Sequence, residues 1–283
     1  MSAPWSAPPL PLERLPGRAP ASILAPAFAL ALLLPAPASA GAVDLNYAVS
    51  LAGIPIGVAT LDGDIGAERY RIKVGAKLSG LASMVSDGKG AAEASGAIVD
   101  GRVLSAGYAL IATNTQMSRT IQIGMSAGNI YGVKVEPPFD VKADRVPVTE
   151  AQKRGVLDPV SALVMPMRAE SPLNPANCDR SLPIFDGSQR FNVVLSYSGT
   201  KTVKTAAHHG PVLVCKARYI PVSGHRPARK TTKYMADNRD METWLVPVAG
   251  SRVLIPYRIA VKTMIGTTII EAQRSSGLAG ASR

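Results

Sequence analysis

The sequence predicts an all-β, mainly antiparallel chain: a curved open barrel, half-barrel or β-spiral with one short helix packed against it. Three observations lead there. Apolar and polar residues alternate with period two in run after run, most clearly at Tyr70, Ile72, Val74, Ala76 and Leu78 against Arg71, Lys73, Gly75 and Lys77. Such runs recur about every ten residues, separated by Gly, Asn and Asp turns. Only one stretch, at Asp158, carries a helix start signal, so alternating β and α units are excluded.

The first forty residues stand apart. Arg14 and Arg18 precede an apolar run from Ala21 to Leu34, and Ala38-Ser39-Ala40 closes the stretch with small residues. A basic start, a short apolar core and a small-residue site describe a cleavable secretory signal, with cleavage expected after Ala40. The alternative is a retained anchor, but fourteen apolar residues fall short of the roughly 30 Å hydrocarbon layer. There is no cysteine beside the cut to take a lipid. The expectation is an exported, periplasmic protein that does not span the membrane once mature.

Export changes how the cysteines read. The chain has two, Cys178 and Cys215, without C-x-x-C spacing. Such a pair in an oxidising compartment favours one structural disulfide. The competing possibility is two free thiols, one of them nucleophilic, which would want a helix start or a neighbouring cation. Cys215 instead sits within the strand-like run Pro211–Ile220.

Net charge is +11, or +10 without residues 1–40, which remove Arg14, Arg18 and Glu13. A basic exported protein suits anionic partners such as lipid headgroups or acidic glycans, and nucleic acid is excluded by compartment. Solubility alone also accounts for such a charge.

From Asp44 the chain alternates through Leu45, Tyr47, Val49 and Leu51, turns at Gly53–Gly57 and returns through Val58–Leu61. The strand at Tyr70–Leu78 follows, and Leu78–Ser86 stays unassigned. Small residues dominate Asp87–Gly96, where a strand would bend sharply or let a ligand come close. Strands are expected at Val103–Ala112, Thr115–Met125 and Asn129–Val135. Asp158 is a good N-cap and Pro159 sits at the first helical position, so a short helix is expected there, with Leu163, Val164 and Met167 facing the sheet. Further strands are expected at Arg190–Ser198, Thr200–Ala206, Pro211–Pro221, Thr231–Tyr234, Glu242–Pro247, Ile255–Thr263 and Thr267–Gln273. Residues 41–275 then form one domain, and 276–283 a flexible tail.

Four motifs resemble a known family: the strand with its Gly53-Ile-Pro-Ile-Gly57 turn; Asp158-Pro-Val-Ser-Ala162; Cys178-Asp-Arg-Ser-Leu-Pro-Ile-Phe-Asp-Gly187; and the run from Cys215 to Arg226. Together they are similar to the bacterial family called domain of unknown function 3108, over roughly Val43 to Gln273. The resemblance implies an envelope location and a β-rich fold, and no reaction. More loosely, the build is similar to the curved sheets of periplasmic lipoprotein carriers.

Candidate chemistry is sparse. His225-Arg-Pro-Ala-Arg-Lys-Thr-Thr-Lys233 concentrates Arg226, Arg229, Lys230 and Lys233, which suit phosphate or an anionic headgroup, or else form a solvated basic hairpin. Asp186 and Arg190 flank the Phe185-Asp186-Gly187 turn and would pair with each other or with a ligand's polar head. The competing account is an aspartate bonding its own turn. Adjacent His208 and His209 on a strand point to opposite faces and so would not share a metal ion. Ser198-Gly-Thr-Lys201 fits S-x-x-K, but the companion motifs of the serine enzymes that use it are missing. No cofactor or metal is implied. The expected function is non-catalytic binding of an apolar or lipid-like ligand with an anionic part, the alternative being a structural envelope factor with a protein or peptidoglycan partner. A hydrolase would need a nucleophile that these motifs do not supply.

Overall fold

The computed structural model describes residues 41–84, 86–140 and 142–280. The expected signal segment lies outside them. The described chain is one large antiparallel sheet, curved and open, not closed into a barrel. Its first seven strands are β1 (Gly41–Leu51), β2 (Ile54–Ile65), β3 (Arg69–Leu78), β4 (Lys89–Val99), β5 (Arg102–Thr113), β6 (Ser118–Ser126) and β7 (Asn129–Glu136). A two-residue strand, β8 (Met165–Pro166), follows in the long connection. The second run is β9 (Arg180–Phe185), β10 (Arg190–Lys204), β11 (His209–Ser223), β12 (Met241–Pro247), β13 (Val253–Thr263) and β14 (Gly266–Ser276).

Each run is a simple up-and-down meander, and β1 pairs with β14. The two meanders therefore form one continuous ribbon whose edges are β7 and β9, with β8 off the path on β13. Residues 137–179 connect these edges. In that connection Val156 donates its N–H to Gly128 O in the β6–β7 turn, while Leu157 exchanges backbone bonds with β9 at Pro183 and Phe185. One short segment thus satisfies polar backbone at both ends of the ribbon.

Alternation sets the faces. Cross-strand partners share a face, so Tyr70, Ile72, Val74 and Ala76 lie beside Gly96, Ala94, Ala92 and Gly90 of β4. The next strand adds Tyr108, Leu110 and Ala112, and β6 adds Ile123, Ile121 and Arg119. This concave face closes over residues Val156–Val164, whose Val156, Val160 and Val164 are buried among its side chains. At the seam Tyr70 donates to Ser161 Oγ at 2.7 Å, and Ser161 donates to Asp158 Oδ2. Gly96 makes this possible: a Cβ there would meet the Tyr70 ring and Leu104 O at under 3 Å.

The second half is packed on both faces. Along β11, Val212 and Val214 join the main core, while Leu213, Cys215 and Ala217 join a second cluster with Leu157, Met165, Leu182, Leu195 and Leu254. That is why Pro211–Cys215 reads as a continuous apolar run. Cys178 and Cys215 are disulfide-bonded, tying the loop before β9 into this second cluster.

Three local expectations shift. The helix expected at Asp158 is a single 3-10 turn, Ser161–Leu163, whose N-cap is Val160; Asp158 lies two residues earlier and accepts from the N–H of Val160 and Ser161 at 3.0 and 2.8 Å. The chain then enters β8, and Pro166 has no N–H to extend a helix. The α-helix, α1 (Lys230–Asp237), falls where a strand was expected. It is tethered to the edge of the β13–β14 hairpin, with Tyr234 donating to Thr263 O and the adjoining Asn238 to Lys262 O. The two strands expected at 190–198 and 200–206 are one strand, Arg190–Lys204, with a bulge near Gly199. As for the expected tail, Leu278 is 5% exposed and bridges to Val248, and His209 donates its N–H to Gly280 O.

Candidate functional site

Where the concave face of β2–β6 meets the Pro159–Leu163 turn, the packing leaves a hollow of about 370 Å³. Its walls are apolar: Tyr47, Leu61, Val74, Tyr108, Leu110, Val160, Leu163 and Ile270. The hollow exists because the inward positions at its centre are small. Ala59, Ala76, Gly90 and Ala92 stand where larger side chains would fill the space. It shares Ala76, Gly90 and Leu110 with a second hollow of about 670 Å³ that continues towards the open end of the sheet, past Val49, Gly57, Ala112 and Ile121 to Phe139. Together they form a trough running from the buried tyrosines to solvent.

Arg119 is the cation that register places on this concave face, as the partner of Ala112. Its guanidinium lies 4.4 Å from the Phe139 ring centre, and its Nε donates to Pro137 O at 3.1 Å. Lys77 and Lys89 border the same mouth, but as each other's register partners they belong to the opposite face. The phenols of the inner end are uncharged: burial pushes Tyr47 and Tyr108 up, so both stay protonated, as does Tyr70 at the adjoining seam, pushed up to about 12. Burial also raises the Asp158 carboxyl, opposed by its bonds from Ser161 and the Val160 N–H.

The sequence-predicted site residues lie elsewhere, and only some of them meet. Asp186, Arg226 and Arg229 line one cleft of about 350 Å³, together with Arg145, His225, Phe191, Tyr219 and Met235. Lys230 and Lys233 stand exposed on α1 outside that lining. Arg190 donates to Phe191 O and Asn192 Oδ1, and burial lowers its pKa; it forms no ion pair with Asp186 among the described residues. Asp186 bonds its own turn, accepting from the N–H of Ser188 and Gln189 at 2.8 and 2.7 Å. The basic segment and the apolar concavity lie apart: the cleft and the trough share no lining residue. The small residues of 88–96 do line the trough, through Gly88, Gly90, Ala91 and Ala92.

Gly224 holds the cleft together. Its φ of +75° suits glycine, and a Cβ would meet Ser188 O at 2.0 Å, so the Asp186 turn packs directly onto its backbone. Gly224 also donates to Val146 O, and Val146 to His225 O. These bonds bring Asp144 and Arg145 against Arg226, whose Nε donates to both Asp144 oxygens at 2.8 Å and holds that carboxyl below its usual range. Arg145 Nη1 donates to Gly224 O.

Sequence reasoning missed Arg119 and Arg145. Arg119 was legible, since it alternates in phase with Ile121, Ile123 and Met125. Arg145 lies in a polar stretch without period, and only folding brings it to residue 224. The S-x-x-K pair falls in β10, with Lys201 Nζ set 4.4 Å over the Trp244 ring, which is a packing contact.

No curated protein and no solved structure matches the chain. A family model described as protein of unknown function (DUF3108) matches residues 46–273, which span the sheet from β1 into β14, the trough and the cleft. The chain belongs to the DUF3108 family.

Proposed function

We propose that this chain is an exported, periplasmic binding protein of the cell envelope that holds an apolar or lipid-like ligand with an anionic part, without catalysis. The observation that carries the reading is the trough: an apolar hollow kept open by Ala59, Ala76, Gly90 and Ala92, deepening from an Arg119 mouth to an apolar inner end. Ligand sites are typically concave and mostly apolar, with a few placed polar groups. An acyl chain would lie along the Leu110–Val74 floor, and its acidic head would meet Arg119 beside Phe139. A charge buried at the inner end would be costly, whereas the mouth is open to water.

Titration with a fluorescent polyene fatty acid tests this. Saturable binding is expected, and Ala76→Trp should abolish it by filling the hollow where the two compartments join. Arg119→Gln should weaken binding of the acid more than that of its methyl ester. Equal binding by Ala76→Trp would sink the reading.

A second reading, a structural envelope factor with a protein or peptidoglycan partner, draws on the β7 edge. Among the described residues that strand has no outer neighbour, and Tyr131 on it is 77% exposed. An unpaired edge is a template for an added strand.

A further inference from the structure

We infer that the cleft at Arg145, Arg226 and Arg229 is a second ligand site, separate from the trough, and that it takes a phosphomonoester joined to a flat or apolar group. Three guanidiniums line it against one carboxylate, Asp186, while Asp144 pairs with Arg226 from outside the lining. Asp144 engages Arg226 only through Nε, and Asp186 spends Oδ1 on its own turn. Among the described residues Arg229 forms no ion pair or side-chain hydrogen bond. Inside the lining, Arg145 Nε and His225 Nδ1 are buried without a partner. Neither atom reaches the surface, so a ligand would meet the exposed Arg229 guanidinium and the Nη groups of Arg226, whose Nε alone is taken by Asp144.

Helix α1 adds to the same anionic preference. Its N-cap is Arg229, which makes no side-chain cap, and Thr231 and Thr232 of the first turn line the cleft. The first N–H groups of a helix have no partner within it, and they favour an anion. Guanidiniums match the oxygens of a phosphate in pairs. One part of the lining is apolar: the Phe191 and Tyr219 rings lie 5.1 Å apart and Met235 lines the same cleft, which provides a surface for a ring or a short chain. A phosphomonoester headgroup of a lipid and a free phosphorylated metabolite share this chemistry.

Isothermal titration with phenyl phosphate and with inorganic phosphate is the test. Phenyl phosphate is expected to bind more tightly than inorganic phosphate. Arg229→Gln, an exposed and fold-neutral change, should weaken it about tenfold. Ala76→Trp should leave it unchanged, which separates this site from the trough. Vesicles containing phosphatidic acid distinguish the sources. Vesicle binding competed away by phenyl phosphate assigns a headgroup; phenyl phosphate binding without such competition assigns a free metabolite. Failure of both phosphates to bind at millimolar concentration, or unchanged binding in Arg229→Gln, overturns the proposal.

Discussion

The two halves of this ribbon share one architecture and differ in what their strands carry inward. On β2–β4 the inward positions at the centre are alanine and glycine, and the face stays hollow over the Pro159–Leu163 turn. On β11–β13 they are valine, leucine, isoleucine and tyrosine on both faces, and the disulfide secures one side. Curvature alone therefore does not make a cavity. Side-chain volume decides whether a bent sheet encloses a core or a binding space.

The sharpest break of this contrast is in the packed half. Cys178→Ser and Cys215→Ser should each cost about 3–4 kcal/mol, from a closed loop with a sequence separation of 37, and the double variant should cost no more. Additive losses in denaturant titrations would contradict the bond's role. Next, Leu213→Ala, at a fully buried site, should cost about 3 kcal/mol, while Leu110→Ala at the trough wall should cost about 1, since solvent already reaches that wall. Equal losses would mean that the hollow is as well packed as the core.

The seam between sheet and turn comes third. Asp158→Ala removes the acceptor of two N–H groups and the Ser161 hydroxyl, and should cost about 2 kcal/mol. The pH dependence has a definite sign. Burial raises the carboxyl's pKa in the folded state, so folding favours its protonated form. That preference is fully present below the unfolded value of about 4 and is lost as pH rises through the folded pKa. Asp158→Asn, which keeps an acceptor but does not titrate, should therefore gain stability relative to the parent protein as pH rises from 3 to 7. A flat difference in melting temperature would refute this. Smallest of all, Ala76→Val should change stability by no more than about 0.5 kcal/mol, because its side chain faces the hollow.

The sheet was legible because alternation survives in almost every strand, and the continuous apolar run Val212–Cys215 of β11 is an exception because both its faces are buried. The helix was not. Lys230-Thr-Thr-Lys-Tyr is rich in β-branched and aromatic residues, which read locally as strand; the bonds from Tyr234 and Asn238 to the β13–β14 hairpin that accompany the helix are invisible in sequence. Asp158 does bond the N–H groups that open a turn, but the turn is a 3-10 turn starting at Ser161 that β8 cuts short. The site was half legible. The small-residue run pointed to the trough, and alternation contained Arg119. The cleft depends on backbone bonds between residues 146 and 224–225, a pairing that no local pattern announces.

The most direct test of the trough is native mass spectrometry of the protein released gently from the periplasm, set beside Ala76→Trp prepared in the same way. The expected result is about one amphiphile per chain on the parent protein and none on the variant. A folded, oxidised parent protein that arrives empty, or a variant carrying the same ligand, would contradict it.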